Sequence, residues 1–144
     1  MSLGFRAMKV WMVLRFFGAS GVRALIARNI ALTRRLHALV RDHPDFEVLH
    51  EPVLSISSFR YVPHQLAEVE EAAESVDRLN TRIAEEIQQS GLALLMTTRI
   101  RGRIALRMSI CSQRTTEKDI DDTFEAIAAT GRFLAALRPM AMAV

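Results

Sequence analysis

Between Arg103 and Cys111 the chain alternates strictly: Ile104, Leu106, Met108 and Ile110 are separated by Ala105, Arg107 and Ser109. Apolar residues at every second position are the signature of a strand with one face on a core and the other turned away from it. Arg107 sits at the centre of the second face and therefore points away from the domain's own core. A guanidinium flanked along its strand by small residues is placed to meet a carboxylate or phosphate, because its planar fork matches both bidentately. A solvated or interface arginine is the other reading, and the pattern alone leaves both open.

The rest of the chain reads as helices and short strands in turn. Phe5 to Phe17 is a helix apolar on nearly every side, a pattern expected of a helix buried all round. Gly18 and Gly21 punctuate it, and Ser20 is a candidate N-cap for a second helix to Arg41. That helix carries Val22, Leu25, Ile26, Leu32, Leu36, Leu39 and Val40 at helical spacing, and Pro44 ends it. Phe46 to Glu51 and Leu54 to Val62 read as strands. Leu66 to Gln89 is an amphipathic helix with the stripe Leu66, Val69, Ala73, Val76, Leu79, Ile83 and Ile87, closed by Gly91. Leu92 to Thr98 and Arg103 to Cys111 form a hairpin over Arg99 to Gly102. Thr116 caps a last helix with the stripe Ile120, Phe124, Ile127, Gly131 and Leu134. This order predicts an α+β fold: a mainly antiparallel four-stranded sheet with helices packed on one face.

Composition narrows the function classes. The chain has 144 residues, half of them hydrophobic and 24% charged, which fits a globular domain with a proper core. The net charge of +3 comes from arginine, since the lysines are only Lys9 and Lys118. Arg23, Arg28, Arg34, Arg35 and Arg41 are spread around one helix, and one Tyr and one Trp offer little for base stacking, so no nucleic-acid partner is expected. Cys111 has no disulfide partner and reads as a small strand residue. His37, His43, His50 and His64 lack metal-type spacing and read as surface or loop residues, so no metal is expected. The apolar run Val10 to Phe17 is short and holds Arg15, so no membrane span is expected and the chain is placed in the cytoplasm.

Five segments in order resemble one family. They are Phe5-Arg-Ala-Met-Lys-Val-Trp11, Leu14-Arg-Phe-Phe-Gly18 with Gly21, Arg41-Asp-His-Pro-Asp-Phe-Glu47, Ser90 to Gly102, and Arg103 to Ile120. Together they resemble the C-terminal small domain of the pyridoxal-phosphate-dependent group II decarboxylases, the aromatic-L-amino-acid decarboxylase type. The resemblance divides the chain into residues 1–17, an apolar interdomain or dimer helix, and residues 18–144, the small domain of a fold type I enzyme.

The resemblance implies a parent carboxy-lyase that acts on an amino acid, with aromatic L-amino acids the expected class, and that uses pyridoxal phosphate. In that family the cofactor lysine follows a histidine upstream of the segment matched by Phe5 to Trp11. Neither Lys9 nor Lys118 follows a histidine, so no catalytic residue and no bound cofactor are expected in this chain. Arg107 matches an arginine implicated in holding a substrate carboxylate in related glutamate decarboxylases. Arg6, Lys9 and Trp11 match the segment linking the two domains, with interdomain or structural roles. The opening Met-Ser-Leu resembles a vector-derived start, which favours a cloned piece over a truncated gene product or half of a split enzyme. The family implies a homodimer, and the other reading is a non-catalytic domain acting only in oligomerisation or binding.

Overall fold

A computed structural model describes residues 6–64 and 73–137. The elements run α1 (Arg6–Asp42), β1 (Phe46–Val48), β2 (Ile56–Tyr61), α2 (Ala73–Gln89), β3 (Met96–Ile100), β4 (Arg103–Ser109) and α3 (Glu117–Ala136). The four strands form one antiparallel sheet in the order β1-β2-β4-β3. Helices α1 and α2 lie against the sheet, α1 at its β1 and β2 side and α2 over β2, β4 and β3, and α3 packs against both. This is the expected α+β arrangement.

Alternation sorts the strands into two faces. Phe59 and Tyr61 of β2 and Leu106 and Met108 of β4 turn toward the helices and are buried with Leu32, Leu36, Val40, Leu79, Ile83, Ile87, Ile120, Phe124 and Ile127. Phe46 joins the rings of His43, Phe59, Tyr61 and Phe124 in one aromatic cluster, with centroids 5.1 to 5.9 Å apart. Such edge and tilted contacts suit the ring quadrupoles. Helix α2 fits its stripe: Val76, Leu79, Ile83 and Ile87 are buried as read from the sequence, whereas Ala73 is exposed. The positions Leu66 and Val69 lie outside the described residues.

Several boundaries differ from the sequence reading. The strands expected at Phe46–Glu51 and Leu54–Val62 are shorter, because Val53 and Ile56 bridge across a tight turn that holds Leu54 at φ 54°. The β3–β4 hairpin is tighter than a four-residue loop: Ile100 pairs with Arg103, leaving a two-residue turn with Arg101 at φ 49° and Gly102 at φ 80°. Two left-handed residues match the twist of an antiparallel pair. Cys111 lies beyond the end of β4 and is exposed, so it is not a strand residue.

Helix α1 bends at Gly18, whose φ of 65° and ψ of 171° are not helical. The break falls on the glycine itself, so the expected second helix starts just after Gly18 and Ser20 lies inside it rather than at its cap. Beyond the bend one side of the helix joins the core from Asn29 on, through Leu32, Leu36 and Val40, while Ile26 of the expected stripe is exposed. Before the bend, the residues form an arm that is exposed where the sequence pattern predicts burial: Trp11 is 60% and Phe16 82% accessible. The arm's side chains have no sheet beneath them. By length and composition Ala7–Asp42 could also cross a bilayer, with a mean hydropathy of 1.5 over its most apolar stretch and none of that stretch buried. That meets the minimal test which Val10 to Phe17 alone fails. The Gly18 break interrupts the helical ladder, which hydrocarbon does not tolerate unless the freed groups find partners.

The arginines of α1 are not a uniformly solvated face. Arg28 donates to the carbonyl oxygens of Gln113 and Thr115 at 2.8 and 2.6 Å, tying the β4–α3 connection to α1. Arg35 grips Asp121 of α3 through two bonds of 2.7 and 2.6 Å. His37 is buried on the same helix with Nε2 3.5 Å from Glu51, so it is a core residue and not a surface one. Among the described residues no group of histidine, cysteine and carboxylate side chains could hold a metal ion.

Candidate functional site

The open face of the sheet is built from the residues that alternate with the core: Ser58 and Arg60 of β2, Ala105, Arg107 and Ser109 of β4, and Met96 and Thr98 of β3. Arg107 has Ser58 as its register partner on one side and Met96 on the other, so the three stand in a row across three strands. Short side chains between longer ones are screened from water, and Ser58 and Ala105 are buried. Arg107 is half-buried.

Charge pairing singles out Arg107. The strands carry four arginines and one acid, Glu47. Arg60 is buried, donating to Asp77 at 2.8 Å and to the Ile104 carbonyl at 2.9 Å, with Glu47 3.5 Å away. Arg103 reaches Glu47 at 3.8 Å, and Arg99 donates to the Gly102 carbonyl at 2.8 Å. Among the described residues Arg107 makes no hydrogen bond and no ion pair. A half-buried guanidinium with five donors and no acceptor of its own is matched by an anion from elsewhere.

Near the C-terminal end of β4 a cleft of about 420 Å³ is lined by Leu94, Ser109, Cys111, Arg114 and Asp119, among others. Its acidic side is already committed. Asp119 accepts from the backbone and hydroxyl of Thr116, at 2.7 and 2.8 Å, in a capping box, and these bonds lower its pKa. Asp122 holds Lys118 at 2.7 and 2.8 Å.

The other sequence-predicted residues lie apart from Arg107. Lys9 and Trp11 are exposed on the arm, where the Arg15 guanidinium lies 5.8 Å from the Trp11 ring centre. Arg6 begins α1, and its side chain lies outside what is described. Sequence reasoning missed Arg60, Asp77 and Asn80. The available signal was an arginine inside the otherwise apolar or small-residue strand Ile56–Tyr61, which demands a buried partner.

Pyridoxal phosphate requires a lysine whose amine can lose its proton and a cradle of donors for the phosphate. Lys118 is exposed, and its bond to Asp122 raises its pKa, which opposes that loss. Lys9 projects from the exposed arm. The lysines of this chain do not fit the cofactor's covalent link.

A family model described as the pyridoxal-dependent decarboxylase conserved domain matches residues 1–62. The chain is 31% identical to an aromatic-L-amino-acid decarboxylase of Bacillus atrophaeus over 120 residues, covering 83% of this chain and 24% of that one. It is 28% identical to a phenylacetaldehyde synthase of Arabidopsis thaliana, covering 90% and 26%. Its fold superposes on the Oryza sativa TDC solved with PLP and tryptamine at a TM-score of 0.79 and 26% identity, covering 90% of this chain and 27% of that one. The chain thus spans about a quarter of the length of the curated relatives it matches. Motif order, family model and fold agree that this chain is similar to part of the pyridoxal-phosphate-dependent group II decarboxylases.

Proposed function

We propose that this chain serves as the small domain of a decarboxylase of amino acids, completing a cleft whose cofactor lysine is carried by a separate catalytic domain. The apolar arm before Gly18 would dock against that domain or against a second copy, with Arg6, Lys9 and Trp11 in the contact. Arg107 would present its guanidinium to a substrate carboxylate. The observation that carries this reading is that Arg107, alone of the four strand arginines, has no partner among the described residues and stands half-buried on the face left open by the helices. Aromatic L-amino acids are the proposed substrate class, supported by the decarboxylase of Bacillus atrophaeus and by the TDC solved with tryptamine.

Arg107 would act by orientation. An ion pair made equally to bound substrate and transition state lowers KM without raising kcat, and one made to a departing carboxylate weakens as its charge is lost. What it supplies is a fixed placement of the substrate. The test is a chimera in which residues 6–137 replace the matching quarter of the Bacillus atrophaeus enzyme, assayed for CO₂ release from aromatic amino acids. Arg107→Ala should lower kcat/KM about ten- to a hundredfold, the worth of a charged hydrogen bond, with KM rising. Its effect on stability should stay within about 0.5 kcal/mol, as for an outward side chain. A folded chimera that turns over equally well with Arg107→Ala would overturn the assignment.

A further inference from the structure

The register around Arg107 says more than its charge. Paired residues on adjacent antiparallel strands rise from the same face, with Cβ atoms about 4.5 to 5.5 Å apart. Ser58 and Met96 therefore flank the Arg107 side chain on either side. The two flanks differ in chemistry. Ser58 is 4% exposed, and its hydroxyl makes no hydrogen bond among the described residues, so a donor stands ready beside the guanidinium. Met96 is 50% exposed, and its thioether is a soft, adaptable apolar surface. Leu94, two residues before it, is 73% exposed and extends the apolar side away from the arginine. The one acid on the strands, Glu47, is held by Arg60 and Arg103, so nothing on the sheet repels an anion here.

We infer that Ser58, Arg107 and Met96 form one subsite for a carboxylate attached beside an apolar body, with Ser58 the second donor and Met96 the apolar wall. This inference rests on the reading of Arg107 as a carboxylate contact and adds what selects among carboxylates. A ligand with a second charge in place of the apolar body loses the Met96 contact. An apolar amine lacks the anion that Arg107 and Ser58 require.

The 144-residue chain can be tested directly by NMR, following the Arg107 Nε–H and Met96 methyl signals while 3-phenylpropanoate, glutarate or phenethylamine is added. Phenylpropanoate should move both signals and bind several-fold more tightly than glutarate, and phenethylamine should move neither. Ser58→Ala should weaken both carboxylates by about three- to tenfold, the loss of one hydrogen bond to a charged group. Met96→Gln should abolish the preference for phenylpropanoate and leave glutarate unchanged. Unaltered amide spectra of both variants would confirm that they fold. Carboxylates that reach Arg107 without preference, or indifferently to both variants, would overturn the subsite while leaving the Arg107 assignment standing. Carboxylates that leave the Arg107 signal unmoved, or phenethylamine binding as well as phenylpropanoate, would overturn both.

Discussion

Gly131 of α3 lies against the ring of Tyr61 so closely that a Cβ built on it would stand 2.8 Å from Cε1, Cε2 and Cζ. The glycine is in a helix and its φ is unremarkable, so the requirement is space and not backbone freedom. Gly131→Ala gains up to about 1 kcal/mol of helix propensity but overpacks the ring, at a cost of about 1 to 3 kcal/mol. We expect a net loss, read as a lower urea midpoint at unchanged slope, and a stabilised variant would show that the ring can move aside. The same burial raises the Tyr61 pKa above its ordinary 10.0, with Asp45 adding to the rise and Arg132 opposing it. A raised folded value means that stability is intact below the unfolded pKa and falls as pH rises through the folded one. Tyr61→Phe should remove that alkaline loss.

The pair Arg60 and Asp77 should be the most sensitive ion pair of the domain. Arg60 is nearly inaccessible, and Asp77 also accepts from the Ile104 backbone at 2.9 Å, at the end of the sheet where the β2–β4 pairing stops. Asp77→Ala takes the nearer carboxylate from buried Arg60, leaving only Glu47 at 3.5 Å, and should cost about 3 kcal/mol, the low end for breaking a buried pair. The double variant Arg60→Met/Asp77→Leu should recover much of this. Equal losses in the single and double variants, measured by chemical denaturation, would show that the pair is not the cause.

The start of α3 should report on acid. Thr116 and Asp119 exchange side chain and backbone bonds in a capping box, and those bonds hold the Asp119 pKa below 3.8. A depressed folded value gives stability that is present above the unfolded pKa and is lost as pH falls through the folded one. Thr116→Ala should cost about 1 kcal/mol at neutral pH, as N-cap losses do. Acid unfolding curves of the variant should start from a lower stability and fall less as the pH drops below the ordinary aspartate range. Parallel curves for the two proteins would remove Asp119 from the account.

The arm of α1 should drive association. Each large side chain left in water forgoes about 1.5 to 3 kcal/mol of burial, and Trp11, Leu14 and Phe16 are all exposed. A dimer through mutual cover is the expected state at micromolar concentration by sedimentation, and Phe16→Glu should weaken it tenfold or more. A monomer whose Trp11 emits as a buried indole would mean that the arm folds back, and a monomer that floats with anionic vesicles would assign the arm to a bilayer.

Local pattern by itself determined the elements whose residues answer to one neighbour at a time. The alternation of Arg103 to Ile110 fixed which way Arg107 faces, the spacing of Val76 to Ile87 fixed the buried side of α2, and Thr116 fixed the start of α3. What only the tertiary structure decided depends on partners far apart in sequence. Ser58 and Met96 flank Arg107 through strand order β1-β2-β4-β3, and no spacing along the chain states that order. Asn80 closes the end of β2 by accepting from the Tyr61 backbone and donating to its carbonyl, a partnership set by where α2 lands on the sheet. The apolar pattern before Gly18 reads as buried, yet the arm is bare, because periodicity records that a surface must be covered and not which surface covers it.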